Sequence, residues 1–368
     1  MSLLVAALLV IGILFAALVL NWVWLVLVQR NMQQKTDLIA LAAAPTLLDE
    51  ALLRDQPADQ SDDALAAWHA AHQSRQRNNA ASPAMLQLEE SDLVVTAGFV
   101  DDASAPLDAD AFIAGSPLNT LRVAARREAT GANPVATLIN GFWNAQPAPV
   151  GSRSYATLDN LVVGFRPTAQ SNSPVVPIAI DAASWAGDRG HGSLPAGDPL
   201  IRNLVVRLKS NNPAAATGPN AALIAFQGFA PVVSEATRQI RLGVRADDVP
   251  NQHLGPATST SPLVVPGSNA LSSAAQTQAL ADALLEVAAS DDPRRVFPLY
   301  ESFDATTGAR LIGFVAARVL AADDEEPDAA FHRLRLTIEP CFLIHSTAWT
   351  DSSAPRRNLY IHQLRLFR

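Results

Sequence analysis

LLVAALLVIGILFAALVLNWVWLVLV, the stretch from Leu3 to Val28, holds no charged side chain, and Asn21 is its one polar residue. A helix needs ~20 apolar residues to cross ~30 Å of hydrocarbon with its own backbone hydrogen bonds satisfied, and this run exceeds that length. It is read as a membrane anchor that spans with some tilt. Trp22 and Trp24 lie toward its downstream end, where an indole with one polar N–H suits the headgroup level. The polar switch Gln29-Arg30-Asn31 closes the span. Gly12, Asn21, Trp22 and Trp24 are the candidate anchoring and helix-packing residues. A cleaved signal peptide is the competing reading, because Ala40-Leu41-Ala42 and Ala42-Ala43-Ala44 resemble cleavage sites. Against it stand the lack of a basic n-region, an apolar run about twice an ordinary h-region, and the distance of the Ala sites beyond it.

Arg30 and Lys35 come after the span, so the positive-inside rule taken literally keeps the body in the cytoplasm. That vote is weak: the charge difference is small, Asp37 lies nearby, and a long folded domain is not counted. The expectation is a single-pass protein of the cytoplasmic (inner) membrane with its soluble body on the periplasmic or extracytoplasmic side.

Beyond the anchor, the 368-residue chain is 49% apolar and 17% charged, enough core material for one large or two ordinary domains. A net charge of -8 argues against a nucleic-acid partner, because phosphate binding needs concentrated Lys and Arg. The single cysteine, Cys341, rules out an internal disulfide framework and a cysteine-based zinc site.

Apolar spacing at Leu38, Leu41, Ala42, Leu48 and Leu52 extends the helix past the membrane, with a kink where Pro45 lacks a donor. The stretch from Arg54 to Pro83 reads as a linker with one short helix around Ala64 to Gln76. Strands are expected at 92–100, 118–127, 158–166, 175–180, 204–208, 222–226, 296–300, 311–320, 334–344 and 359–367, with helices at 233–244 and 272–289. In the strand before Arg127, Leu121, Val123 and Ala125 alternate with Arg122, Ala124 and Arg126; in the second helix Leu280, Leu284, Leu285 and Val287 share one side. Residues 186–199 and 255–269 read as loops, and the acidic segment 323–328 as a solvated hairpin tip. The fold class is α+β: a transmembrane helix with a helical extension, then a mainly antiparallel β-rich body with a few helices. The expected divisions are an anchor at 1–28, a helical stalk and linker at 29–83, a β-rich domain at 84–230 and an α+β domain at 231–368.

The apolar span is followed by Arg30-Asn-Met-Gln-Gln-Lys-Thr-Asp-Leu-Ile-Ala-Leu-Ala-Ala-Ala44, then the strand Asn119-Thr-Leu-Arg-Val-Ala-Ala-Arg-Arg127 with its basic pair, and Val176-Pro-Ile-Ala-Ile-Asp181 with Trp185 after it. The C-terminal landmarks are Ala236-Thr-Arg-Gln-Ile-Arg-Leu-Gly-Val244, Ile312-Gly-Phe-Val-Ala-Ala-Arg-Val319 and Ile338-Glu-Pro-Cys341. In this order the features resemble the TadE/TadG-like proteins of Flp (tight-adherence) pilus assembly, in their large planctomycete-type form. Basic residues before the span are missing, and the longer forms' von Willebrand-like domain has no counterpart. The resemblance implies a non-catalytic component of pilus or envelope secretion assembly. Its partners would be membrane lipid and other assembly proteins met through the N-terminal helix, with homo-oligomerisation left open. Without an acidic residue just inside the apolar helix or a prepilin-peptidase site, the chain reads as an assembly factor or minor component and not as a major pilin.

No hydrolase elbow, metalloprotease helix, phosphate loop or dinucleotide fingerprint occurs. The chain is accordingly read as non-enzymatic and without a cofactor. The densest set of reactive side chains is Gly187-Asp-Arg-Gly-His-Gly-Ser193 with Asp198, where the simpler reading is a turn-rich loop with a solvated His191; Asp181 beside it reads as a strand end. Asp101, Asp102, Asp108 and Asp110 offer oxygen ligands but miss the EF-hand spacing. Asp101, Asp102, Asp188 and His191 together form the candidate ligand loop of an alternative function, a membrane-tethered binding or adhesion module; an anchored hydrolase is the third reading. Cys341 and His345 share a strand face and read as a buried thiol and a hydrogen-bonded imidazole. His69 and His72 are expected in solvent, and Trp143, Trp185 and Trp349 in packing roles.

Overall fold

The computed structural model describes residues 2–49, 53, 60–81, 86–101, 112–114, 118–128, 135, 149–187, 201–207, 220–226, 232–258, 263–265, 274–304, 308–325, 333–352, 354 and 357–367. The chain forms two compact units. The first comprises Met1–Asp49, Ala58–Leu158 and Arg365–Arg368, and the second Glu50–Pro57 and Asp159–Leu364. The extension of the anchor belongs to the first unit, and the second begins its long run at Asp159.

In the first unit, helix α1 (Ser2–Ala43) stops where Pro45, with no N–H to donate, turns the backbone into the short 3-10 segment Ala44–Leu47. The expected kink is therefore a termination. Helix α2 (Gln60–Ala81) is longer than the short linker helix expected and packs against α1. Ala67, Ala71 and His72 of this helix are buried. Alanines four residues apart let two helices approach closely, yet they leave little amphipathic signal in the sequence. Strands β1 (Leu93–Phe99), β2 (Ile113–Ala114), β3 (Thr120–Arg127) and β4 (Val150–Asp159) pair antiparallel in the order β4-β3-β1-β2. Leu121, Val123 and Ala125 of β3 are buried as their alternation predicts, and Arg126 is exposed. Gly98 is needed where β1 meets β2, because a Cβ there would lie 2.3 Å from the Ile113 carbonyl oxygen.

In the second unit come β5 (Val162–Phe165), β6 (Ile178–Asp181), the single-turn helix α3 (Ala182–Gly187), β7 (Arg202–Arg207), β8 (Ala221–Leu223), α4 (Val233–Leu242), β9 (Leu263–Val265) and α5 (Ala274–Ala288). After these come β10 (Arg294–Asp304), β11 (Gly308–Glu325), β12 (Arg333–Pro340), β13 (Leu343–Ile344), β14 (Ala348–Thr350) and β15 (Ile361–Phe367). The large sheet runs β10-β6-β8-β7-β12-β11-β9, and a further pairing of β10 with β11 brings the sheet back onto itself. It is mixed, with β6–β10 and β7–β8 parallel, and β13 also pairs parallel with β15. Asp181 ends β6 and caps α3, its Oδ2 accepting from the Ser184 amide (2.9 Å) and hydroxyl (2.6 Å).

Several expected runs are broken or extended. The 158–166 strand divides between β4 and β5, and the 334–344 strand stops at Pro340 before β13 begins, so Cys341 and His345 do not share one strand face. The 255–269 loop contains β9, and residues 186 and 187 are helical. Residues 323–325 sit inside β11 in register with 333–335 of β12, so this part of the acidic segment is strand and not tip. Helix α5 packs on β11 and buries Leu280, Leu284 and Val287, while Leu285, rotated out of that stripe, is 43% exposed. Trp185 is buried, Trp349 lies under the Arg166 guanidinium at 3.9 Å, and Trp143 lies outside the described residues.

His362 on β15 is buried beside the Phe342 ring, and its ring nitrogens form no well-aligned hydrogen bond; the Leu359 backbone is a loose neighbour. Desolvation pushes its pKa down to about 4, against the small upward pull of Leu359. The unfolded chain takes up a proton near the ordinary value of ~6.5, which the folded chain refuses until about pH 4, so folding stability is lost as pH is lowered through that window. The expected loss is about 3 kcal/mol at full extent. Urea unfolding at several pH values should show this slope in the wild type and a flatter one in His362→Phe; equal slopes would remove the imidazole from the account.

Candidate functional site

The site is α1 and its seat on the first unit. At ~1.5 Å per residue the run Leu3–Val28 extends ~39 Å, more than the ~30 Å of a bilayer core. Most of its described side chains are exposed: Leu4 is 68% exposed, Phe15 69% and Trp22 64%, and its most apolar window has a mean hydropathy of 2.5. This is one helix long and apolar enough to cross a membrane. Gly12 faces open space, with no atom within 4 Å of where a Cβ would stand. Asn21 is half-buried, and Trp24 is 38% exposed.

The character of the helix changes at Val28. Val28, Met32, Ile39 and Ala43 are buried, a stripe at helical spacing that faces the folded unit while Gln29 and Arg30 stay exposed. Beside that stripe runs a polar seam to β4. Gln33 Nε2 donates to the Arg153 carbonyl (3.0 Å) and to Ser154 Oγ (2.9 Å), and Ser154 Oγ donates to Asp37 Oδ1 at 2.6 Å. Buried polar groups of this kind fix one register, because sliding the helix by a residue would leave each of them unpaired.

A second set of bonds ties α1 to α2 and to the segment before β1. Lys35 Nζ donates to the Leu86 carbonyl (2.6 Å) and to Asn79 Oδ1 (3.2 Å), while Asn79 Nδ2 donates to the Leu88 carbonyl (2.7 Å). Arg75 also donates to that carbonyl, at 3.0 Å. Next along the chain, the buried Arg127 pairs with the buried Asp92 at 3.2 Å and donates to the Gln87 carbonyl. His72, expected in solvent, is buried against Trp68 with ring centroids 4.0 Å apart; burial lowers its pKa, partly offset by Glu90. Sequence reasoning missed this collar, because its partners are dozens of residues apart and share no motif.

Of the candidate ligand residues, Asp101 lies exposed just beyond β1. Asp102, Asp188 and His191 lie outside the described residues, as do Asp108, Asp110, Asp198 and the end of the acidic segment. Cys341 is fully buried, and His345 Nδ1 lies 2.8 Å from the Thr347 hydroxyl. Among the described residues no group of three or more His, Cys, Asp or Glu side chains is placed to hold a metal ion. Comparison with known proteins finds no matching family model, no similar curated protein and no similar solved structure.

Proposed function

We propose that this chain is a membrane-anchored, non-catalytic component of a Flp/Tad-type pilus or envelope secretion assembly, held in the inner membrane with its body on the extracytoplasmic side. The observation that carries the reading is the two-part helix: an apolar length with most of its described side chains exposed, continuous with a length locked into the first unit by Gln33, Lys35 and Asp37. A helix built this way holds its head at a fixed angle and register while offering its apolar part to lipid or to partner helices. The TadE/TadG resemblance, carried by the helix exit from Arg30 and by the basic pair before β4, supports the choice of assembly.

In this reading Asn21 supplies an interhelical hydrogen bond within the bilayer, worth ~0.6–2 kcal/mol. In-cell crosslinking of a C-terminally tagged chain, with detergent capture afterwards, should recover pilus or secretion components. Asn21→Leu should reduce that recovery severalfold with membrane insertion unchanged. A chain recovered without such components would sink the assembly reading, and unchanged recovery in the variant would remove Asn21 alone.

A further inference from the structure

Helix α2 runs back toward the apolar span. Its Asn79 accepts from Lys35, and the same helix packs on the 3-10 segment Ala44–Leu47. Lys35 and Ala44 stand ~13 Å apart along α1 at ~1.5 Å per residue, and only Ala80 and Ala81 follow Asn79 in α2. The residues of α2 that reach Ala44–Leu47 therefore precede Asn79, and the helix is antiparallel to α1. By the same rise Lys35 lies ~10 Å beyond Val28, which brings Ala81 to ~7 Å from the end of the apolar run. The headgroup layer on each side of the hydrocarbon is roughly 5–8 Å deep. The last turn of α2 thus stands at the outer edge of the headgroups, and Arg77, one turn back, within a Debye length (~8 Å) of them.

The two stretches that meet there carry one sign of charge. No acidic residue occurs before Asp37 or between Asp63 and Glu89, whereas Arg30, Lys35, Arg75 and Arg77 do. Lys35 is bound to the Leu86 carbonyl, and Arg75 to the Leu88 carbonyl and Glu90. Arg30 and Arg77 are exposed, and among the described residues no hydrogen bond or ion pair engages either guanidinium. Gln29 and Gln34 on α1 and Gln73 and Gln76 on α2 are exposed too, so the surface is polar.

We propose that Arg30 and Arg77 form a headgroup-binding surface that draws the first unit onto the bilayer, its partner the phosphate of an anionic lipid. The surface is continuous with the span, so that partner lies within reach as soon as the helix inserts. A guanidinium pairs with phosphate through two parallel hydrogen bonds, and each arginine near an anionic surface favours contact about fivefold. The inference rests on Leu3–Val28 crossing the bilayer.

The test places the full chain in nanodiscs of phosphatidylcholine alone and of an equal mixture of phosphatidylcholine and phosphatidylglycerol, and follows hydrogen exchange at amides 77–81. Exchange should be about 25-fold slower in the anionic discs, fivefold for each arginine, while amides of α5 in the second unit keep one rate. Arg30→Gln and Arg77→Gln should each take back about fivefold, and high salt nearly all of the difference, by screening. Equal exchange in the two discs, or a slowing that persists when both arginines are replaced, would overturn the surface and leave the span in place. Slowing that follows the number of chains per disc and not the lipid charge would give this face to a second copy instead. A chain that does not enter the discs would overturn the span, and the surface with it.

Discussion

Deletion of residues 2–26 is expected to move the chain from the membrane fraction to the soluble fraction while leaving the unfolding of the first unit within about 0.5 kcal/mol of the full chain. The two halves of this result come from different physics. The run Leu3–Val28 contains 18 Leu, Ile, Val and Phe side chains. At roughly 0.3–0.6 kcal/mol each, they favour insertion by roughly 5–10 kcal/mol, and the deletion removes nearly all of it. By the same scale, one arginine at Leu14 costs only ~2.5–3.5 kcal/mol, so Leu14→Arg should remain membrane-bound. Stability is spared because burial on α1 begins at Val28 and Leu27 is 55% exposed. Carbonate extraction reports the first half, and urea unfolding of the deleted chain the second. A large loss of stability would show that the bare length packs on the head, and a chain that stays in the membrane would place the anchor elsewhere.

That boundary is only half legible in the sequence. The absence of charge up to Val28 marks the span, because hydrocarbon excludes ions whatever the rest of the fold does. The helix beyond Val28 reads as a stalk because Lys35, Thr36 and Asp37 are polar residue types, and their burial depends on Ser154, Asn79 and Leu86, far along the chain. Strand β3 is legible from its alternation, since one of its faces is buried and the other is wetter. In contrast, β6, β8 and the parallel pairings sit in runs apolar on both sides, where periodicity does not say which neighbour a strand will choose. Leu285 reads as core in the sequence but directly succeeds Leu284, and the 100° rotation between them carries it away from the packed stripe.

The basic pair Arg126-Arg127 supplies the sharpest contrast between neighbouring residues. Side chains alternate along β3, so Arg126 points to solvent, 74% exposed, with an exposed partner in Glu128; Arg127 is 6% exposed and meets Asp92, itself 9% exposed. Asp92 Oδ2 also accepts the Glu89 amide at 2.9 Å, and the Asp92 carbonyl accepts the Arg126 amide at 2.9 Å, so the pair ties the start of β1 to the end of β3. Arg127→Leu leaves a buried carboxylate without its cation and is expected to cost about 3–5 kcal/mol, whereas Arg126→Leu should cost less than about 0.5 kcal/mol. Adding Asp92→Asn to Arg127→Leu removes the stranded charge, keeps an acceptor for the Glu89 amide, and should recover part of the loss. Urea unfolding monitored by hydrogen exchange at the Arg126 amide measures these differences in the first unit itself. If Arg126→Leu and Arg127→Leu cost the same, the alternation that buries one of the two side chains is wrong, and with it the seat on which α1 rests.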